Sequence, residues 1–368
     1  MPRHHLTVSH IKNRKGDIMK QRIILSEDIE IEITEAISEC EHDRLFVLTD
    51  ETTRDVCWPR LRDFLSLKNA TLITIKAGDT HKDIDSAASV WRSLQEGGAT
   101  RHSCLINLGG GMVTDLGGFV ASTFKRGIDF INIPTTLLAM VDASVGGKTG
   151  VNFGGLKNEI GVFCDSRFVI LDTLFLGTLD HANICSGYAE MLKHGLLSDD
   201  RMWSDLLRFD LNSPDLKRLQ QMVAESVKVK EKVVKADPLE RNIRKALNLG
   251  HTVGHAFESL AMQKGHPVLH GYAVAWGLAC ELYLSHVKDG FPIEKLRQTA
   301  TFIRENYSLP EVTCDDYPEL YRLMTHDKKN TADTINFTLL ADVGDIRINR
   351  TATKDEIFEA LDFYREGL

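Results

Sequence analysis

Residues 107–163 constrain this chain more than any other stretch, because two glycine loops lie within it at the ends of apolar runs. Ser103 to Leu108 is short and apolar, the composition of a parallel strand buried on both faces. It ends in Gly109, Gly110 and Gly111; Thr114 and Asp115 follow, and Leu116 opens a helical apolar pattern. Strand, glycine turn and helix together bring backbone N–H groups and a helix N-terminus against a pyrophosphate. A second apolar strand, Phe130 to Ile133, runs into Pro134, Thr135 and Thr136. The second glycine loop is Gly146-Gly147-Lys148-Thr149-Gly150, with Asn152, Lys157 and Asn158 beyond it. Two such loops predict two anionic ligands, or one ligand with a second phosphate beside it.

Neither loop is a complete fingerprint. Thr114 stands where the third glycine of G-x-G-x-x-G belongs, and the acid-ended strand Leu45–Asp50 precedes the loop instead of following it. Gly147-Lys148-Thr149 matches the tail of a P-loop, but Asp142 occupies the place of its leading glycine. A plain tight turn is the competing reading of each loop.

Around these loops the chain alternates strand, loop and helix. Arg22 to Ile33 alternates polar and apolar residues about a Ser-Glu-Asp break and predicts a hairpin. Leu45–Leu48 is a buried strand ending at Asp50, whose carboxylate suits a ribose diol or, equally, a helix N-cap. Thr71–Ile75 is the next strand; Gly78-Asp79-Thr80-His81-Lys82 and an amphipathic helix to Glu96 follow it. The alternation continues to Phe168–Leu171 and predicts an open, mostly parallel, Rossmann-like α/β sheet with helices on both faces.

After about residue 178 helical patterns dominate: Gly187–Leu197, Asp215–Ala236, Ala246–Lys264, Gly271–Lys288, Ile293–Asn306 and Lys354–Arg365, with a β pair at Thr334–Leu340 and Asp345–Ile348. The expected organisation is a basic, flexible extension over 1–20, an α/β nucleotide-binding domain over 21–178 and a mainly α-helical domain over 179–368.

A net charge of −8 argues against nucleic-acid and anionic-membrane partners, so any phosphate site must be a local concentration of cations. The seven cysteines show no C-x-x-C and read as reduced thiols of a cytoplasmic protein. No run approaches a membrane span, and residues 1–22 lack the apolar core of a secretory signal.

In Gly250-His251-Thr252-Val253-Gly254-His255-Ala256-Phe257-Glu258, the spacing i, i+4, i+7 puts His251, His255 and Glu258 on one helix face. The two histidines, with His270, are raw material for a divalent metal site, and Glu190 could supply a carboxylate. Spacing alone nominates His251 and His255 as a ligand pair, against satisfied core or capping histidines. Lys148, Lys193, Lys230, Arg244, Lys328 and Lys329, with Arg126 and Lys157, form a set of cations suited to a substrate carrying carboxylate and phosphate, although singly each reads as a solvated surface charge. Asn158 and Asn248 can donate amide hydrogen bonds to the same oxygens.

VDASVGGKTGVN, preceded by GGGMVTDLGGFVA and PTTLLA and followed by LKNEIGVF, resembles the 3-dehydroquinate synthase family of sugar phosphate cyclases. The likeness continues through GYAEMLKHG, ERNIRKALNLGHTVGHAFE, HGYAV and HDKKN, in the family's order from about Leu45 to Val343. The loop GDTHK differs from the family's usual GExxK in having Asp79.

The resemblance implies conversion of 3-deoxy-D-arabino-heptulosonate 7-phosphate to 3-dehydroquinate and phosphate, with NAD used catalytically, a Zn2+ or Co2+ ion, and a homodimer. It replaces the His251–His255 pair by Glu190, His251 and His270 as metal ligands. For the nucleotide it implies Asp50, Gly78, Asp79, Lys82, Gly110, Gly111, Asp115, Thr135, Thr136, Asp142, Lys157 and Thr178. Lys148, Lys193, Asn248 and His255 become candidates for proton handling and oxyanion stabilisation. Substrate contacts would be Arg126, Asn158, Lys230, Arg244 and one of Lys328 and Lys329.

Three rivals remain: a cyclase for a carboxylate-free sugar phosphate, a metal-dependent polyol dehydrogenase that releases NADH, and a non-catalytic nucleotide-binding subunit. Arg244 with Lys328-Lys329 favours a carboxylate-bearing substrate over the first, and the full metal and cation set argues against the last.

Overall fold

The computed structural model describes residues 21–154, 156–325 and 335–366, and the backbone of short strands at 5–7, 11–12 and 18–19. The rest of the expected 1–20 extension, together with Lys328 and Lys329, lies outside the described residues. The chain divides into two compact units, Met1–Leu179 with Asp215–Val227, and Asp180–Pro214 with Lys228–Leu368. The chain therefore passes between units more than once, where one crossing near Thr178 was expected.

The first unit is built on a seven-stranded sheet. Its strands are β1 (His5–Thr7), β4 (Arg22–Leu25), β5 (Leu45–Asp50), β6 (Thr71–Ile75), β7 (Cys104–Gly109), β8 (Asp129–Pro134) and β11 (Phe168–Leu171); the minor pairs β2 (Ile11–Lys12) with β3 (Ile18–Met19) and β9 (Lys148–Phe153) with β10 (Leu156–Phe163) stand apart. The order across the sheet is β1-β4-β11-β8-β7-β5-β6, with β1 antiparallel at the edge and the other six parallel. Every residue of β7 and of β11 is buried, as strands covered on both faces require.

From β5 the chain steps outward to β6, then returns to the other side of β5 as β7 and continues to β8. The strand order thus reverses between β5 and β7, and in such sheets ligands bind outside the strand carboxyl ends at that point. Asp50 ends β5, and Gly109 ends β7.

Three local expectations are corrected. Residues 22–33 form β4 and then helix α1 (Ile29–Glu39), not a hairpin. Asp28 caps that helix by accepting from the N–H groups of Glu30 and Ile31, while the Glu32 carboxylate accepts from those of Glu27 and Asp28, so local capping defeats the Ile-Glu alternation. The helix after the first glycine turn, α4 (Gly111–Thr123), begins before Leu116, so Thr114 and Asp115 lie inside it. The second glycine loop is the entry to the β9–β10 hairpin: Gly146 and Gly147 turn with φ of 96° and 67°, and Lys148 is already in a strand.

In the second unit, helix α9 (His270–Asp289) is central. Helices α5 (His181–Leu196), α8 (His251–Gln263), α10 (Ile293–Asn306) and α12 (Lys354–Glu366) pack on it, as does strand β12 (Asn336–Asp342), which pairs with β13 (Asp345–Thr351). The expected helix from Ala246 is broken: Ile243–Asn248 is a 3-10 turn, and α8 starts only after Gly250, whose φ is 80°. Helices Asp200–Leu207 and Tyr317–Thr325 were not read from the sequence.

Candidate active site

The centre of the second unit is where α5, α8 and α9 cross closely. A Cβ on Gly271 would lie 1.8 Å from the Ser186 carbonyl oxygen, and one on Gly277 would lie 2.0 Å from that of Gly250. Glycine at these two positions lets α9 approach both partners at backbone contact, so short side chains from all three helices can meet. The Ser186 hydroxyl accepts from the Gly271 N–H at 3.1 Å, which fixes the start of α9 beside the turn of α5 that carries Glu190.

Ligand atoms of Glu190, His251 and His270 lie within 4.8 Å of one another. Glu190 is fully buried, and its Oε1 faces His251 Nε2 at 3.3 Å and His270 Nε2 at 3.6 Å. His251 Nδ1 is 3.1 Å from the Leu249 carbonyl and His270 Nδ1 is 3.3 Å from Glu258 Oε2. These partners favour a proton on each Nδ1 and turn each Nε2 towards Glu190. Among the described residues Glu190 Oε1 itself has no hydrogen-bond partner. A buried carboxylate oxygen facing two imidazole nitrogens is a donor set that could hold a divalent metal ion.

The other carboxylate oxygen of Glu190 is held by Lys193, one turn along α5 and almost fully buried. Burial by itself would raise the Glu190 carboxyl, but Lys193 and then His251 outweigh it and hold it well below the usual range. Burial, reinforced by Lys193, lowers His251 to about 3. For His270 burial again acts downward, yet the Glu190 and Glu258 carboxylates prevail and raise it to about 10. Without a bound cation the cluster therefore keeps a proton on His270, which a divalent ion must displace.

His255 stands beside the cluster, its ring centroid 5.3 Å from His251 and 5.9 Å from His270, and it forms a second convergent group with Glu258 and His270. Asn248, at the end of the 3-10 turn, donates to Glu240 Oε1 at 3.2 Å. Arg244 is buried in that turn: its Nη1 donates to the Pro238 carbonyl at 2.6 Å and its N–H to Asp237, whose carboxylate also takes the N–H groups of Arg241 and Asn242. Lys230 is buried on helix α7 (Leu216–Ala236).

In the first unit, Lys82 is buried and joins Asp115 Oδ2 and Asn158 Oδ1, both at 2.5 Å. Lys157 lies 3.4 Å from Asp79. Gly110 caps α4 with no side-chain hydrogen bond, and a Cβ there would come within 3.0 Å of Thr136. Thr135 N–H bonds the Gly109 carbonyl at 3.0 Å, and Thr178 bonds its own turn through Phe175. Asp142 lies in the helical turn Ala139–Ala143. Asp50 caps the short helix Glu51–Val56 through Thr53 N–H at 2.7 Å, the second of its two expected roles. Lys148 opens β9 on the surface, and Arg126 is exposed in the turn before β8.

Two residues with evident work in the site were not among the sequence candidates: Glu258, as partner of His270, and Glu281, which bonds the start of α8. Glu258 was visible on the histidine face but had no assigned task. Glu281 carries a legible signal, being the sole acidic or basic residue between Gly271 and Ser285.

The fold matches two solved cyclases. A 2-deoxy-scyllo-inosose synthase, solved with carbaglucose-6-phosphate, NAD+ and Co2+, superposes with a TM-score of 0.83 at 22% identity over 99% of this chain and 100% of that one. The 2-epi-5-epi-valiolone synthase of Streptomyces hygroscopicus, solved with NAD+ and Zn2+, gives 0.78 at 24% identity over 94% and 97%. The chain accordingly shares the fold of these two synthases.

Family models for the 3-dehydroquinate synthase N-terminal and C-terminal domains match residues 72–186 and 187–330. A 3-dehydroquinate synthase of Parabacteroides distasonis is 52% identical over 95% of this chain and 99% of its own length, and one of Pyrococcus furiosus is 37% identical over 84% and 90%. The chain belongs to the 3-dehydroquinate synthase family.

Proposed function

We propose that this protein converts 3-deoxy-D-arabino-heptulosonate 7-phosphate to 3-dehydroquinate and phosphate. The observation that carries the reading is the convergence of Glu190, His251 and His270 in a chain 52% identical to a named synthase. These three residues would hold Zn2+ or Co2+, and the unbonded Glu190 Oε1 between two imidazole nitrogens supports that assignment. The switch-point loops would hold NAD: Gly110 and Gly111 at the pyrophosphate, Asp50 and Asp115 at hydroxyl groups, and Lys82 within its network. Thr135, Thr136, Asp142, Lys157, Thr178 and the Gly78–Asp79 turn complete that proposed set.

A divalent ion held by Glu190, His251 and His270 would supply Lewis acidity to substrate hydroxyls, and NAD held at the switch-point loops would supply a hydride acceptor that is regenerated. The chain's own residues supply the rest. Lys193 neutralises Glu190 and can stabilise an oxyanion beside it. His255, held near both ligand histidines, is positioned to move a proton with Asn248. Arg244 and Lys230 suit the substrate's anionic ends, with Asn158, Lys148 and one of Lys328 and Lys329. The leaving phosphate can itself accept the proton released from the adjacent carbon.

We further infer a homodimer in which Arg126 serves the partner's site, and a cytoplasmic location without nucleic-acid or membrane partners. All seven cysteines are free, and among the described residues no helix is long and apolar enough to cross a membrane.

The test is phosphate release from the heptulosonate phosphate with substoichiometric NAD. Many turnovers per NAD without net NADH are expected. NADH accumulating with product would indicate a polyol dehydrogenase instead, and equal turnover of heptulose phosphates lacking the carboxylate would indicate another cyclase.

A further inference from the structure

The peptide group joining Leu249 to Gly250 stands between a buried carboxylate and a proposed metal ligand. On one side, Glu281 of α9, fully buried, accepts from the Gly250 N–H through Oε2 at 2.6 Å. Its Oε1 accepts from the Val253 N–H at 3.0 Å. On the other side, the carbonyl of the same peptide lies 3.1 Å from His251 Nδ1. Helix α8 has no side-chain cap of its own, since Gly250 is its N-cap, so a neighbouring helix supplies the acceptor for its first N–H groups.

Resonance couples the two ends of a peptide group. An N–H bonded to a carboxylate shifts electron density towards its own carbonyl oxygen, which becomes a stronger acceptor. That acceptor holds the His251 proton on Nδ1 and makes Nε2, 3.3 Å from Glu190 Oε1, the better donor to a cation. Metal-bound histidines commonly meet a carboxylate or a backbone carbonyl directly at the far nitrogen. Here the two are joined in series.

We propose that Glu281 is a positioning residue for His251: through the Leu249–Gly250 peptide it sets the imidazole tautomer and strengthens metal binding without reaching the metal itself. The inference rests on reading Glu190, His251 and His270 as the metal ligands. A cap that served only helix stability would change the melting temperature of Glu281→Gln and leave the tautomer and metal affinity alone.

The experiment compares wild type, Glu281→Gln and His251→Ala by Zn2+ titration against a chelator and by 15N NMR of the imidazole nitrogens. The His251 signals are identified by their loss in His251→Ala. In the wild type at pH 8 the His251 proton should reside on Nδ1. In Glu281→Gln, which keeps one acceptor but loses the charge, Zn2+ affinity should fall about 10–100-fold, with a change in the His251 Nδ1 shift. Unchanged affinity and shifts in a folded variant overturn the proposal. So does a wild-type proton on Nε2, which decides the matter even if Glu281→Gln fails to fold. Failure of the underlying ligand assignment reads differently: His251→Ala would then bind Zn2+ as tightly as wild type.

Discussion

Glu258 Oε2 lies 3.3 Å from Nδ1 of His270, so the histidine is fixed at both nitrogens by carboxylates, Glu258 behind and Glu190 in front. The arrangement orients the ring and strengthens Nε2 as a donor. Glu258→Gln should retain an acceptor for the Nδ1 proton but lose the charge. Its metal affinity should drop by about 10-fold or more, within the range for outer partners of metal ligands. Chelator competition measures this, and an affinity equal to wild type would show that Glu258 only fills space.

Glu231 gives a pH signature away from the metal cluster. It is buried on α7, its Oε1 has no hydrogen-bond partner among the described residues, and burial raises its carboxyl from 4.5 to about 7 against the pull of Lys235 and Lys228. Between those values the folded protein keeps a proton that the unfolded chain has lost. Stability therefore falls as pH rises through this window and levels off above it. Glu231→Gln removes the penalty. Its advantage over wild type should grow from near zero below the window to about 1–2 kcal/mol at pH 8, after allowing for partial solvation. Denaturant titrations at several pH values test this, and a difference that does not vary with pH would contradict it.

Arg244 is nearly fully buried, with its backbone N–H tied to Asp237. If it reads the substrate carboxylate, Arg244→Ala should weaken substrate binding by about 1.5–3 kcal/mol, the range for a hydrogen bond to a charged group. Preference over carboxylate-free heptulose phosphates should shrink in parallel. Equal losses for both substrate types would assign Arg244 another role.

Arg126 sits at the opposite end of its strand–helix–strand unit from the glycine turn. It precedes Asp129, which pairs with the first residue of β7, whereas Gly109 pairs with Pro134 at the last. Lys125 and Arg126 both have positive φ, 48° and 70°, so this turn holds a conformation that side chains seldom adopt. An arginine there is badly placed for its own nucleotide loops; in the proposed homodimer its planar fork would bind the phosphate of the partner's substrate. Mixing inactive Arg126→Ala and His255→Ala subunits should restore part of the activity, because mixed dimers contain one site with both residues. Thorough subunit exchange with no recovery would rule out action in trans.

Local signals in the sequence determined the parallel sheet, the placement of its loops and most of the helices. Runs such as Leu45–Leu48 and Phe168–Leu171 are apolar on both faces, and the 3.6-residue period puts His251 and His255 on one side of a helix. Where two local patterns competed, the sequence misled. Ile29, Ile31 and Ile33 alternate like a strand, yet backbone N–H groups donating to the Asp28 and Glu32 carboxylates make them a helix. The Gly146–Gly150 segment reads like an anion loop, yet pairing with Leu156–Phe163 makes it a hairpin.

Only tertiary structure decided what surrounds the histidines. Residue spacing nominated His251 with His255, and the resemblance to a family substituted Glu190 and His270. What brings those atoms together is the close crossing of α9 with α5 and α8 at Gly271 and Gly277. No sequence period encodes that crossing, because it depends on backbones from distant segments meeting where α9 carries only glycine. The same crossing sets the Glu281 carboxylate against the Gly250 N–H, a contact between residues 31 apart in the chain.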